Sequence, residues 1–195
     1  YRAGVARVPG MLEDYAYLGL GLIELYRATG DLEHLEWARA LLADVRDRFR
    51  DRTRGGLFDT GEEAEPLLFR QKPFFDAATP SGNGAAAELA FWIWRYYQDS
   101  EARALAEEIV GQVGEHLAKA PSGFGALLAV VELLHAPLEE LVLLGDEAQR
   151  QPFLEVVANH FRPWLVLLPT EEPLPLPHFA GRESASRPVA YFCRD

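Results

Sequence analysis

Lys72-Pro73-Phe74-Phe75-Asp76-Ala77-Ala78-Thr79-Pro80-Ser81-Gly82-Asn83-Gly84 closes an irregular segment and opens the most apolar helix in the sequence. From Asn83 to Gln98 nearly every side of that helix is apolar: Ala85, Ala86, Leu89, Ala90, Phe91, Trp92, Ile93, Trp94, Tyr96 and Tyr97. Glu88 and Arg95 are the exceptions. A helix apolar all round is buried all round. A cation, a carboxylate and small hydrogen-bonding residues at its mouth suit the rim of a pocket.

On either side, helices of two kinds alternate. Residues 12–29 read as a helix apolar on both sides, with Gly30 as C-cap and Asp31 as the next N-cap. Residues 32–50 are amphipathic, with Leu35, Ala38, Leu42, Val45 and Phe49 in one stripe. After the helix over 83–98 come an amphipathic one over 101–119 and a buried one over 122–135. Such alternation with short loops predicts antiparallel hairpins in two layers. The expected fold is mainly α: a partial α/α toroid, with a plain helical bundle as the alternative. Five helices are fewer than half of a six-hairpin ring, so the chain is expected to be a fragment of a longer protein.

Between residues 51 and 80 no long period survives. Leu57-Phe58-Asp59 and Leu67-Leu68-Phe69 flank an acidic turn and predict a small β-hairpin around 55–70. After Pro137 the period changes again. Residues 141–144 and 164–168 read as strands around a helix over 147–160, a parallel βαβ unit. Residues 189–193 offer a third strand, reached through a proline-rich loop. The domain reading is therefore a toroid part over 1–136 and a small α/β extension over 137–195.

The formal net charge of −11 argues against nucleic acid, whose binding depends on neutralising phosphates, and against an anionic membrane surface. No apolar run approaches the ~20 residues of a membrane span, and no signal peptide is visible. Cys193 is the single cysteine, so an internal disulfide and a Cys-rich metal site are both excluded. The five His show no metal-ligand spacing, and no cofactor is expected. A cytoplasmic location is the simplest reading.

Candidate chemistry gathers on loops and helix starts. Asp76 precedes the buried helix, where loops of a toroid line the central cavity, and could act as general acid or base. A turn-stabilising role or a pair with Lys72 is the plainer alternative. Asp14 and Tyr15, in the first turn of the first helix, could face the same cavity; the helix dipole accounts for Asp14 equally well. Asp59 is a third carboxylate. Ser81 and Asn83 could contact ligand hydroxyls or simply cap the helix. Asp14, Asp59 and Asp76 are thus the catalytic candidates, and Tyr15, Lys72, Ser81 and Asn83 the binding candidates. Cys193, with no nearby His or second Cys, is by default an inert thiol and leaves redox chemistry as a separate class.

Leu12-Glu13-Asp14-Tyr15-Ala16, Gly56-Leu57-Phe58-Asp59-Thr60, Arg70-Gln71-Lys72 and Asp76-Ala77-Ala78-Thr79-Pro80-Ser81-Gly82-Asn83, in this order, resemble the YyaL-type, or spermatogenesis-associated, thioredoxin-domain proteins. Leu143-Leu144-Gly145-Asp146 and Ala190-Tyr191-Phe192-Cys193-Arg194 are similar to that family's C-terminal segments. The resemblance implies a six-hairpin toroid related to glycosidases and N-acylglucosamine 2-epimerases, preceded by a thioredoxin-like domain. It implies a sugar or sugar-derivative ligand without fixing a reaction; the competing expectation is a noncatalytic scaffold for the thioredoxin-like domain. The chain departs from the family motif at Pro73 and Ala77, which stand where the family usually has Asp and Gly. Exposed inner-helix faces of a partial ring predict homodimerisation.

Overall fold

A computed structural model describes residues 9–65 and 68–194. The protein is mainly helical with one small sheet. Helices α1 (Leu12–Thr29) and α2 (Leu32–Arg48) form a hairpin turned by Gly30 and Asp31. Asp31 caps α2 by accepting from the Glu33 N–H. Helix α3 (Gly82–Tyr97) and helix α4 (Ser100–Gly111) form the next pair, with Asp99 capping α4. Two further helices, α5 (Gly114–Lys119) and α6 (Gly125–His135), complete the helical part.

Helix α3 is the hub. It packs against α1, α2, α4 and α6. Ala86, Leu89, Ala90, Phe91, Ile93 and Tyr96 of α3 are fully or almost fully buried, as its composition predicts. Tyr96 meets Tyr26 of α1 edge-on, with ring centroids 5.4 Å apart.

Four expectations are corrected. Helix α1 is buried on one side only: Leu12, Ala16, Leu22, Ile23 and Tyr26 face the core, while Leu18 and Leu25 are exposed. The helix expected over 101–119 breaks at Gln112–Val113, between Gly111 and Gly114, two residues that weaken a helix interior. The last helix starts at Gly125, after a 3₁₀ turn over Pro121–Gly123. The hairpin around 55–70 does not form among the described residues. Leu57 instead bridges Arg50, Thr60 bridges Met11, and Leu68 and Phe69 lie exposed outside any strand. Pro66 and Leu67 lie outside the described residues.

Strands β1 (Glu139–Leu144) and β2 (Val166–Thr170) pair in parallel around helix α7 (Glu147–Ala158). Strand β3 (Val189–Arg194) joins β1 antiparallel, giving the order β2-β1-β3. One face of the sheet docks on the helices: Val142, Leu144, Val166 and Leu168 belong to the same core as α1 and α3. The Tyr96 hydroxyl donates to the Leu167 carbonyl at 3.2 Å. His178 links the Arg95 carbonyl (2.8 Å) to the Glu140 carboxylate (2.6 Å), tying the proline-rich segment to both layers. Gly30, at φ +78°, sits against β2; a Cβ there would fall 1.9 Å from the Pro169 carbonyl oxygen. Helix α7 rides more loosely on the other face and leaves a cleft of about 490 Å³ against α1 and β2.

Candidate functional site

The stretch 72–84 forms a rigid crossing between three parts of the chain. Lys72 Nζ donates to Asp51 Oδ2 (2.8 Å) and to the Gly55 carbonyl (2.9 Å). Asp51 also accepts from the Thr53 and Arg54 backbone N–H groups and the Thr53 hydroxyl. Hydrogen bonds from Lys72 and Thr53 hold the Asp51 carboxyl well below the usual carboxylate range. Asn83 is fully buried. Its Oδ1 accepts from the Leu57 N–H, and its Nδ2 donates to the Leu57 and Pro73 carbonyls, at 2.9–3.0 Å. The side chain thereby serves Leu57 as a neighbouring strand would.

Asp76 is equally engaged. Its Oδ1 accepts from the Ser81 N–H (2.8 Å) and its Oδ2 from the Ala126 N–H (2.9 Å). Its own N–H donates to the Gly123 carbonyl. One carboxylate thus joins the start of α3 to the start of α6. Ser81 Oγ accepts from the Gly84 N–H and is the N-cap of α3. Gly84 lies so close to α6 that a Cβ there would meet Ala126 Cβ at 2.8 Å. Lys72 pairs with Asp51 and not with Asp76; turn stabilisation and capping, the plainer readings of Asp76 and Ser81, describe their contacts.

Asp14, Tyr15 and Asp59 lie at the start of α1. The Leu12 N–H donates to the Asp59 carbonyl, and the Asp59 N–H to the Gln71 carbonyl. Those bonds bring Asp59 beside Asp14. Asp14 Oδ2 accepts from the Met11 N–H at 2.8 Å. Burial, and after it the charge of Asp14, pushes the Asp59 carboxyl above the ordinary Asp value. Asp59 therefore holds its proton more readily than an ordinary Asp. The Tyr15 hydroxyl accepts from Arg48 Nη1 (2.8 Å), and its ring meets Phe49 edge-on at 5.3 Å.

The structure thus divides the predicted site in two. Among the described residues the Asp59 carboxyl makes no hydrogen bond and Asp14 uses one oxygen, while the Tyr15 hydroxyl is held by Arg48 and Lys72, Asp76, Ser81 and Asn83 spend their polar atoms on backbone or on Asp51. Sequence reading missed Asp51, Arg48 and Arg70. The Arg70 guanidinium donates to the Thr60 and Arg48 carbonyls and lies 4.1 Å over the Phe58 ring. The Asp51-x-Thr53 spacing, typical of an Asx turn, was a usable signal for Asp51. Cys193 is exposed, and its Sγ accepts from Arg182 Nη2 at 3.1 Å. Among the described residues no helix is long and apolar enough to cross a membrane.

These features define a mainly helical protein with a docked three-stranded sheet and a pair of neighbouring carboxyls at one end of its hub. No family model matches the chain. Among curated proteins it is similar to spermatogenesis-associated protein 20 of Mus musculus, 27% identical over 163 residues, which are 82% of this chain and 20% of that protein. Spermatogenesis-associated protein 20 of Homo sapiens is 28% identical over 139 residues, 70% of this chain and 18% of the relative. The chain spans about a fifth of the length of the curated relatives it matches. This distant similarity supports the family resemblance.

Proposed function

We propose that the chain contributes hairpins to an α/α toroid whose intact form acts on a carbohydrate or related polyhydroxylated compound by acid–base chemistry. The observation that carries this reading is the Asp14–Asp59 pair, in which burial and Asp14's charge favour the protonated Asp59. A carboxyl whose surroundings raise its proton affinity suits the acid role beside a second carboxyl. Asp59 takes the proton-donating role, with Asp14 and Tyr15 beside it. The exposed Leu18 and Leu25 on α1 are the surface that a neighbouring hairpin, or a second copy of the chain, would cover.

The test is a screen of sugars and sugar phosphates on the intact full-length protein and on its Asp59→Asn and Asp14→Asn variants. Turnover should fall about 100-fold or more in each variant, as for loss of a general acid or base. The scaffold reading draws on a different observation: Lys72, Asp76, Ser81 and Asn83 all serve the fold. An intact protein that turns over nothing in the screen, with both variants folding normally, decides for the scaffold.

A further inference from the structure

A second cavity lies towards the other end of the same helices. It has a volume of about 280 Å³ and is walled by α1, α3, α6 and the loop from α7 to β2. Arg27, Glu88, Trp92, Glu132, Phe161 and Trp164 supply its chemistry. None of them belongs to the Asp14–Asp59 pair.

The wall already holds one cation. The Arg27 guanidinium lies 3.9 Å over the Trp92 ring, close enough for a strong cation–π contact. Its Nη1 donates to Glu24 Oε1 at 2.5 Å and its Nε to the Tyr96 hydroxyl. Glu24 therefore balances the charge of Arg27. Glu88 and Glu132 are left over: neither has an ion-pair partner within 4.0 Å among the described residues. Glu88 is the one acidic residue on α3, a helix otherwise packed into the core.

Aromatic surface is also unspent. Phe161 is 90% exposed at the mouth, with no core to serve. The Trp164 indole N–H donates to Glu139 Oε2 at 2.9 Å, which fixes the ring in the wall. Carboxyls without an ion-pair partner, beside aromatic rings, are the recognition chemistry of organic cations. An anion would meet two carboxyls and a guanidinium already neutralised. A neutral polyol would leave both carboxyls without an ion-pair partner.

We propose that this cavity binds a small organic cation, an alkylammonium or guanidinium compound, between the carboxylates of Glu88 and Glu132 and the rings of Trp164 and Phe161. Proton linkage follows. Burial pushes the free Glu88 carboxyl above the ordinary Glu value, with a hydrogen bond from Trp92 and the charge of Arg27 opposing it. A bound cation favours the ionised form, so affinity rises with pH through that raised value, and binding releases a proton there.

The experiment titrates the full chain in low-salt buffer with n-butylammonium and with agmatine, against n-butanol and glucose as neutral controls. Tryptophan fluorescence and calorimetry in two buffers of different ionisation enthalpy read binding and proton release. Saturable binding of the cations is expected, weakened about tenfold in Glu88→Gln and in Glu132→Gln and several-fold in Phe161→Ala, as for loss of one ionic or cation–π contact. Glu132 and Phe161 are exposed, so their variants keep the test valid even where Glu88→Gln fails to fold. Absence of saturable cation binding overturns the proposal. So does equal affinity for the neutral controls, or affinity unchanged in all three variants. Asp59→Asn should leave cation affinity unchanged, so failure here is separable from failure of the acid–base reading.

Discussion

The two ends of α1 and α3 carry similar residue types and use them in opposite ways. At the N-terminal end, Asp76, Ser81 and Asn83 spend their polar atoms on backbone N–H and carbonyl groups. Further along, Glu88 and Glu132 border a cavity without ionic partners among the described residues. The difference has a physical origin. A loop crossing a helix end leaves backbone groups open, and nearby polar side chains are drawn in to close them. A helix interior has already satisfied its backbone. A carboxyl there has no such duty, so Glu88 is a sharper functional signal than Asp76, although it sits in no recognisable motif.

The strongest test of this contrast is Asn83→Ala. It removes three hydrogen bonds and leaves the buried Leu57 N–H and carbonyl without their partner. A loss of about 3 kcal/mol is expected, since each stranded buried group costs about 1–3 kcal/mol; urea denaturation measures it. A loss below half of that figure would show that the N-terminal end is not the architectural one. Asp76→Ala comes next. It frees the N–H groups of Ser81 and Ala126, and should cost about 2 kcal/mol while leaving cation binding intact.

The smallest effect is expected from Asp59→Asn. The folded carboxyl binds its proton more tightly than the unfolded one. Its stabilising contribution is therefore full below the ordinary Asp value and is lost as pH rises through the raised folded value. The Asn variant should flatten that part of the stability profile and match or slightly exceed the parent at neutral pH. A variant that is less stable than the parent at neutral pH would place Asp59 with the architectural residues. Thermal unfolding across pH 3–7, the range about and above the ordinary Asp value, reads the outcome.

Much of this division was legible in the sequence. The boundaries of α1, α2 and α3 follow from apolar periodicity and from Gly30, Asp31 and Ser81, because caps act within a few residues. The strand–helix–strand unit after Pro137 was legible for the same reason, with Asp146 and Gln149 forming its capping box. The 55–70 segment was not. The partner that Leu57 needs is the Asn83 side chain, and a side chain standing in for a strand leaves no periodic trace. The break at Gln112 was written in Gly111 and Gly114, but the apolar stripe continues through it. Asp14 and Asp59 were each visible as candidates; their proximity was not, since it depends on the Leu12–Asp59 backbone bond.

Gly30 has a consequence for the order of assembly. The turn it forms is local and can close as soon as α1 and α2 meet. The Pro169 carbonyl that fills the space where its Cβ would stand comes from a strand far along the chain. Contacts across such a separation form late, because the entropy of closing the intervening loop must first be overcome. The loop carrying Phe161 and Trp164 leads directly into that strand, so the cavity lined by Glu88 is complete only after the sheet has docked. A ligand held there would shift the docking equilibrium in proportion to its concentration over its Kd, and would serve as a reporter of the last step of folding.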